Sequence, residues 1–509
     1  MAQVSNSKEI NRRTYGNWRR PVAAGLGAFS AAATGVIFAG MIIGILAHVA
    51  GGFRASVPTA ITVLLVLAPL AIKDKHGLTL GQKGVVFVGY FFNKQMKQTL
   101  YRSGPLGQVP YGTNQLPGLG ASMQLMQAYD AYNRPFALIY TPSQASYTVV
   151  VEAQPDGESL VDQEQIDIWV AHWGQWLALL GNEAGVEAAS VTVETAPDTG
   201  HRLMQEVAAR ADVNAPRFAR EVLDQIVMTY PSGSATVRAW VAVTFSASSH
   251  AGGRKKKPDE MAREIGTLLP GLTENLQATG AGACRPMPSE DLCEVVRTAY
   301  DPAASDTFDA ARLEDPDDST GGNELRWSDV GPAAAEAFWD YYVHDSGVSC
   351  SWVMTVAPRG IVQSSILSRL LAPHSDVARK RITLYYRPID AGIAAGIVET
   401  DRRNADSRVA SQPKPSSRLL VDQKAAAATA NEEASGAGLV NFGMVVTATV
   451  LDKEDLNDAK ATIDTLAGSA RLLLRPAYGS QDVAFAASLP LGLILPKHLR
   501  TPASIRSGL

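Results

Sequence analysis

The chain has 509 residues, 46% of them hydrophobic and 19% charged, with a formal net charge of −4. That balance excludes a disordered chain, and the length leaves room for a membrane segment plus two or three domains. It also excludes a global basic field that would draw in nucleic acid, so any anion-binding surface must be local.

Residues 21–53 carry no Lys, Arg, Asp or Glu, and neither do 55–72. The first run, "PVAAGLGAFSAAATGVIFAGMIIGILAHVAGGF", exceeds the roughly 20 apolar residues that cross a bilayer. It is also longer than the h-region of a cleaved signal peptide, and a second run follows it. The second, "ASVPTAITVLLVLAPLAI", is short for a span and has Pro58 and Pro69 near its ends. With a tight connection around Gly51–Ser56, the two runs read as a transmembrane helical hairpin. Lys8, Arg12, Arg13, Arg19 and Arg20 precede it, Lys73, Lys75 and Lys83 follow it, and Arg54 stands alone between. The positive-inside rule then places both termini in the cytoplasm. Trp18, Arg19, Arg20, Arg54, Lys73 and Lys75 are the expected membrane-flanking residues. A third apolar run, Gly84–Phe92, is too short to span; it reads as a strand or, in preference, as an interfacial or juxtamembrane element.

"RSGPLGQVPYGTNQLPGLG", Arg102–Gly120, reads as an extended linker. Strands are predicted at 135–141 and 146–153, then a helix whose Trp169, Trp173, Trp176 and Leu180 share one face, then a strand at 189–196. The aromatic stripe is read as core packing against the sheet, not as a stacking platform for a ligand. Helical patterns follow at 201–211 and 215–228. A long strand comes next at 235–247, with Val237, Ala239, Val241, Val243 and Phe245 on one face. Arg254, Lys255, Lys256 and Lys257 form a basic run on a Gly-bounded loop, either a solvated tip or an anion contact. A short helix carrying Met261, Ile265 and Leu268 is expected to stop at Pro270. The acidic stretch 301–322 reads as an exposed loop. Residues 331–344 read as a helix ending near His344, with a turn at Asp345–Gly347 and a strand through Trp352.

His344, Asp345 and Ser346 are adjacent in sequence, a poor arrangement for a catalytic triad, and the chain has no Gly-x-Ser-x-Gly elbow. Cys284, Cys293 and Cys350 have no Cys-x-x-Cys spacing, which argues against structural zinc and fits a reducing compartment. No catalytic residue, metal or cofactor is expected. A strand at 381–388, a helical region interrupted by a polar linker at 404–418, a strand at 443–451, a helix, a strand at 470–476 and a short helix carrying Phe485 complete the chain. The fold class expected is α+β: layered α/β units behind a two-helix membrane anchor. The divisions are 1–20, 21–72, 73–122, 123–250, 251–380 and 381–509.

In order, "TYGNWRRP", "PLGQVPYG", "WVAHWGQWLALL", "VTVETAPDTG", "LRWSDVGPAA", "YYVHDSGVSCSWVM", "RKRITLYYRPID" and "AFAASLPLG" resemble a family of membrane proteins from actinobacterial integrative and conjugative elements. The C-terminal part is similar to the non-motor half of conjugative type IV secretion ATPases. No Gly-x-x-x-x-Gly-Lys-Ser/Thr phosphate loop is present in the sequence. The resemblance implies a membrane scaffold that docks a separate motor ATPase and works with other membrane subunits in an oligomeric assembly. Sequence-specific nucleic-acid binding is not expected. A structural subunit of an EccE-like type VII system and a membrane-anchored enzyme are the alternatives. Leu489, Pro490, Leu491 and Gly492 are the candidate docking residues, because little chain follows to bury them. On that reading, removal of 491–509 leaves the fold intact.

Overall fold

A computed structural model describes Tyr15, Gly16, Trp18 and residues 31–498, except 73, 75, 106, 108, 110–112, 156, 158–160, most of 199–214, 230–234, 249–252, 315–324 and 359. Helix α1, Ala31–Ala71, is two arms joined at Gly52, whose φ of 62° and ψ of −156° leave the helical region. Only glycine adopts that backbone without strain. Beyond it the chain turns back, and Gly40 lies against Val63, where an added Cβ would come within 2.5 Å of the valine Cγ1. In a straight helix those residues would be roughly 34 Å apart.

Gly84–Phe92 is helical, inside α2, Leu80–Gln95. The helix starts on a capping box: Gln82 N–H donates to Thr79 Oγ1 at 3.2 Å and Thr79 N–H to Gln82 Oε1 at 3.0 Å. Such reciprocal bonds satisfy amides that the first turn leaves orphaned.

The remaining elements, in chain order, are β1 (Leu100–Arg102), β2 (Gln124–Tyr129), β3 (Pro135–Thr141), β4 (Ser146–Gln154), α3 (Gln163–Asn182), β5 (Val186–Pro197), α4 (Arg217–Thr229), β6 (Ala235–Ser246), α5 (Pro258–Leu276), β7 (Ala283–Pro286), α6 (Ser289–Tyr300) and α7 (Ala304–Glu314). Then follow β8 (Ala334–Ala337), β9 (Tyr342–His344), β10 (Gly347–Val356), α8 (Ser368–Leu371), β11 (Arg379–Pro388), α9 (Ala391–Ala410), α10 (Ser417–Ala434), β12 (Val440–Val450), α11 (Leu456–Ser469), β13 (Leu473–Pro476), α12 (Gln481–Ala487) and α13 (Leu495–His498).

The described strands form one sheet in the order β1-β8-β9-β10-β12-β11-β5-β6-β4-β3-β2, with β7 on β4 and β13 on β10. This order contains the same unit twice. The first is β4-α3-β5-β6-α5-β7 with strands arranged β7-β4-β6-β5; the second is β10-α8-β11-β12-α11-β13 arranged β13-β10-β12-β11. Each is a split β-α-β-β-α-β arrangement. The registers agree residue by residue. Pro286–Val151–Val241–Val191 form a cross-strand row in the first unit, and Pro476–Trp352–Val446–Ile382 form the matching row in the second. One residue further on, Thr192 and Thr383 pair directly across β5 and β11, with their hydroxyls 3.0 Å apart. The pseudo-twofold relation therefore passes between these two threonines.

Helices α3 and α5 cover the first unit through Trp176, Leu180, Met261, Ile265 and Leu269, packed on Val149, Val151, Val241, Val243 and Phe245. Helix α11 covers the second through Leu456 and Ile463, packed on Cys350, Trp352 and Val446. The opposite sheet face, with Val150, Trp240 and Ala242, meets α6, α12 and the C-terminal residues. Trp176 and Leu180 are buried and Trp173 is half-buried, stacked on Trp176, as core packing requires.

Several expectations change. Residues 334–344 form two strands, not a helix: Ala335 pairs with His344 and Ala337 with Tyr342. The helix expected to stop at Pro270 continues to Leu276. Pro270 cannot donate to the Gly266 carbonyl, but Ala131 N–H does so at 3.1 Å, so no buried acceptor is orphaned. Half of the expected acidic loop is α7, while 315–322 lies outside the described residues. The polar linker contracts to 411–416, where Ser416 caps α10 through Leu419 N–H. The segment after Arg102 packs onto the sheet instead of hanging free: Ser103 Oγ donates to the Pro332 carbonyl at 2.7 Å, and Leu116 is buried. The pattern at 215–228 is α4; most of 201–211 is outside the described residues. The boundaries expected at 250 and 380 cut through the repeated units, because α5 and β7 complete the first and β10 opens the second.

Candidate functional site

The site begins at the apolar segment. Gly35–Arg54 is a helix of 20 residues, long and apolar enough to cross a membrane, and Ser56–Pro69 is a shorter apolar helix. Ile42, Ile45, Leu46, Val49, Phe53, Ile61, Leu64 and Leu65 are exposed on the two arms. Water-facing surfaces rarely carry so continuous an apolar patch. Polar groups at the turn satisfy one another: Ser56 Oγ donates to the Gly52 carbonyl at 3.0 Å and lies 3.0 Å from His48 Nδ1. Arg54 is exposed beside this turn. Arg19, Arg20, Lys73 and Lys75 lie outside the described residues.

Both ends of the segment are fastened to the body. On the entering side, Tyr15 bridges to Val362, its hydroxyl donates to Asp167 at 3.2 Å, and Trp18 meets Phe442 edge-on at 6.4 Å. Trp18, expected at the membrane boundary, thus touches the start of β12. On the leaving side, Leu80 N–H donates to the Ile72 carbonyl at 3.1 Å, and Lys83 pairs with Asp74 at 2.7 Å. Phe87 and Tyr90 of α2 then pack on Trp339, at 5.8 and 5.3 Å, and Trp339 stacks on Tyr478. The sequence reading missed this clamp; the signal was the aromatic cluster "FWDYY", which had been absorbed into a predicted helix.

The candidate docking residues are placed differently from expectation. Leu489, Leu491, Leu493 and Ile494 are 2%, 1%, 3% and 4% exposed, and Pro490 and Gly492 are buried beside them. The segment Gln481–Ile494 is a strap lying across both repeated units. Gln481 Oε1 accepts from Ser351 N–H at 2.8 Å, the Ser488 carbonyl from Thr383 Oγ1 at 2.9 Å, the Gly492 carbonyl from Thr244 Oγ1 at 3.2 Å, and Gln144 Oε1 from Ile494 N–H at 3.3 Å. Tyr385 also donates to the Ala487 carbonyl. Gly492 has φ +66°, and a Cβ there would lie 2.2 Å from Thr148 Oγ1. These side chains close the sheet's own core and offer no surface to a partner. The burial of Leu491, Leu493 and Ile494 argues against the expectation that 491–509 are dispensable for folding; 499–509 lie outside the described residues.

The basic run leads into α5. Arg254 pairs with Glu260 at 2.8 Å, Lys256 pairs with Glu264, and Lys257 immediately precedes the helix, while Lys255 is exposed. Two of its four charges are thus engaged by the first turns of the helix that follows.

His344, Asp345 and Ser346 do not converge. His344 is fully buried between the Tyr300 carbonyl, 2.6 Å from Nδ1, and Ser349 Oγ, 2.7 Å from Nε2. Burial pushes its pKa down to about 4, so the ring is neutral. Asp345 accepts from Arg297 at 3.1 Å and from Ala333 N–H at 2.8 Å, and Ser346 donates to Asp301 at 2.5 Å. The three side chains tie separate loops together. Burial pushes the thiols of Cys284, Cys293 and Cys350 up, to about 11, 12 and 12, which leaves them protonated and inert. Among the described residues no group of three or more His, Cys, Asp and Glu side chains is arranged to hold a metal. A cavity of about 110 Å³ lies between α3 and the base of the α9–α10 pair, lined by Leu177, Gly181, Ile389 and Leu439 without a cluster of charged groups.

The model of one family, described as "Domain of unknown function (DUF8461)", matches residues 22–82. That is the stretch holding both arms of α1 and the cap of α2. No curated protein matches the chain. The protein is thus a mixed helix-and-strand body on one large antiparallel sheet, with an N-terminal helix apolar enough to span a membrane.

Proposed function

We propose that the chain is a plasma-membrane scaffold subunit of a conjugative type IV secretion-like machine. In this reading α1 is a two-span anchor with both termini in the cytoplasm, and the sheet body docks a separate motor ATPase. The observation that carries the proposal is the pairing of an apolar, back-folded α1 with fastenings to the body on both of its sides, at Trp18–Phe442 and at Tyr90–Trp339. An anchor so attached transmits position from the bilayer to the sheet. The ordered sequence motifs support the secretion setting. Docking must use surface outside the strap, since Leu489–Gly492 are buried.

Affinity capture of the full chain from conjugating cells under mild detergent is expected to retain a hexameric motor ATPase of the same element. Recovery of the chain without any such ATPase, in cells that transfer DNA normally, contradicts the proposal. The detergent-solubilised chain is also expected to show no saturable ATP binding by calorimetry, because the sequence has no phosphate loop. Micromolar binding would favour a membrane-anchored enzyme instead.

A further inference from the structure

Helix α2 meets the body on one side only, and most of its apolar side chains stay exposed, Phe87 at 58% among them. Phe87 and Tyr90 sit on Trp339. Val85, Val88 and Phe92 are spaced three and four apart, so they form a single stripe on the far side of the helix. They are 73%, 51% and 58% exposed. Nothing lies within 4 Å of where a Cβ would stand at Gly84 or Gly89, so no described part of the chain presses on α2 there. The helix is continuous with the anchor: only 72–79 separates it from α1, and the Ile72 carbonyl accepts from Leu80 N–H. Lys83, near its start, is already paired with Asp74, while Lys94 and Lys97 stand at its end. A helix of this pattern lies in the bilayer interface, its apolar side at the headgroup–acyl boundary and its cations among anionic headgroups.

We propose that the Val85–Val88–Phe92 face of α2 is a membrane-contact surface that takes the cytoplasmic leaflet of an anionic bilayer. Helix α2 is then held between lipid on one side and Trp339 on the other, and it sets the height of the sheet above the membrane. This rests on the anchoring reading of α1.

The test uses the full chain in vesicles of phosphatidylcholine and phosphatidylglycerol with brominated acyl chains. A bimane label is placed singly on Val88→Cys, Phe92→Cys, Ser407→Cys on α9 as a control on the body, or Leu46→Cys within α1. Cys284, Cys293 and Cys350 are buried and do not compete for the label. The engineered positions on α2 are exposed, so the substitutions leave the core intact. Quenching by lipid of at least about twofold is expected at 88, 92 and 46, with none at 407. Unquenched, iodide-accessible labels at 88 and 92 alongside a quenched label at 46 overturn this proposal and leave the anchor standing. Labels at 88 and 92 shielded from both quenchers mean that protein covers the face, and this too overturns it. An unquenched label at 46 overturns the anchoring reading itself.

Discussion

Truncation after Pro490 is expected to unfold the body, and Phe485→Ala is expected to destabilise it by about 3–5 kcal/mol, the usual cost of deleting a buried aromatic ring. Phe485 is fully buried, with ring centroids of Tyr300, Tyr342 and His344 at 5.0, 5.3 and 4.6 Å and the Arg381 guanidinium 4.7 Å from its own ring centre. It therefore closes a site to which α6, β9 and β11 all contribute. The truncation removes Leu491, Leu493 and Ile494, each at most 4% exposed. At about 2–5 kcal/mol for a large aliphatic side chain, the three together rival the whole stability of a typical domain, about 5–15 kcal/mol. Gly492→Ala separates packing from chain length: it adds one methyl where Thr148 Oγ1 already stands and strains the backbone at φ +66°. Urea unfolding and limited proteolysis of the detergent-solubilised protein read all three. Wild-type midpoints for the truncated chain would show that the strap is not part of the core.

Acid is expected to weaken the fold through His344. Its folded pKa is lowered from 6.5 to about 4 by burial. A depressed pKa means that the unfolded chain takes up a proton that the folded chain refuses. The contribution of the neutral ring is therefore full above the unfolded pKa, falls as pH drops from about 6.5 to about 4, and is gone below that. The gap corresponds to about 3 kcal/mol. His344→Gln keeps a polar side chain between the Tyr300 carbonyl and Ser349 but does not titrate. The variant is expected to be less stable at pH 7 and to lose less on going to pH 4.5. Parallel pH dependences for the two proteins would mean that the ring titrates in the folded state as it does in the unfolded chain.

Much of the body was legible in the sequence. β3, β4, α3, β5, β6, β11, β12 and α11 lie within a few residues of their expected positions, because β-branched and aromatic runs punctuated by Gly and Pro carry strong local signals. The stretch 334–344 failed because Ala and Glu favour a helix locally, whereas the sheet edge imposes pairing with β10 and β1. The strap failed for a related reason. Its apolar residues look unpartnered from the end of the chain, but Thr244 and Gln144, which hold it, lie 248 and 350 positions earlier. β6 read as one-faced because Val241 and Val243 alternate regularly, yet Trp240 and Ala242 on its other face are equally buried. The duplication left one trace that reading along the chain passed over: "CRPMPSEDL" at 284–292 and "LRPAYGSQDV" at 474–483 share Arg-Pro, a serine and an aspartate, and both carry a strand into a helix. Of the candidate site, the apolar segment was plain in the sequence. Its fastening to Phe442 and Trp339 was not, since those contacts span hundreds of residues.

The most direct measurement is the sidedness of the anchor in intact cells. A membrane-impermeant maleimide is expected to label Ser56→Cys, at the turn between the arms of α1, from outside. Ser416→Cys, at the start of α10, is expected to react only after the membrane is opened. The native thiols are buried and stay silent. Labelling of Ser416→Cys in intact cells, or protection of Ser56→Cys in intact cells with labelling only after lysis, would contradict a cytoplasmic body hung from a two-span anchor.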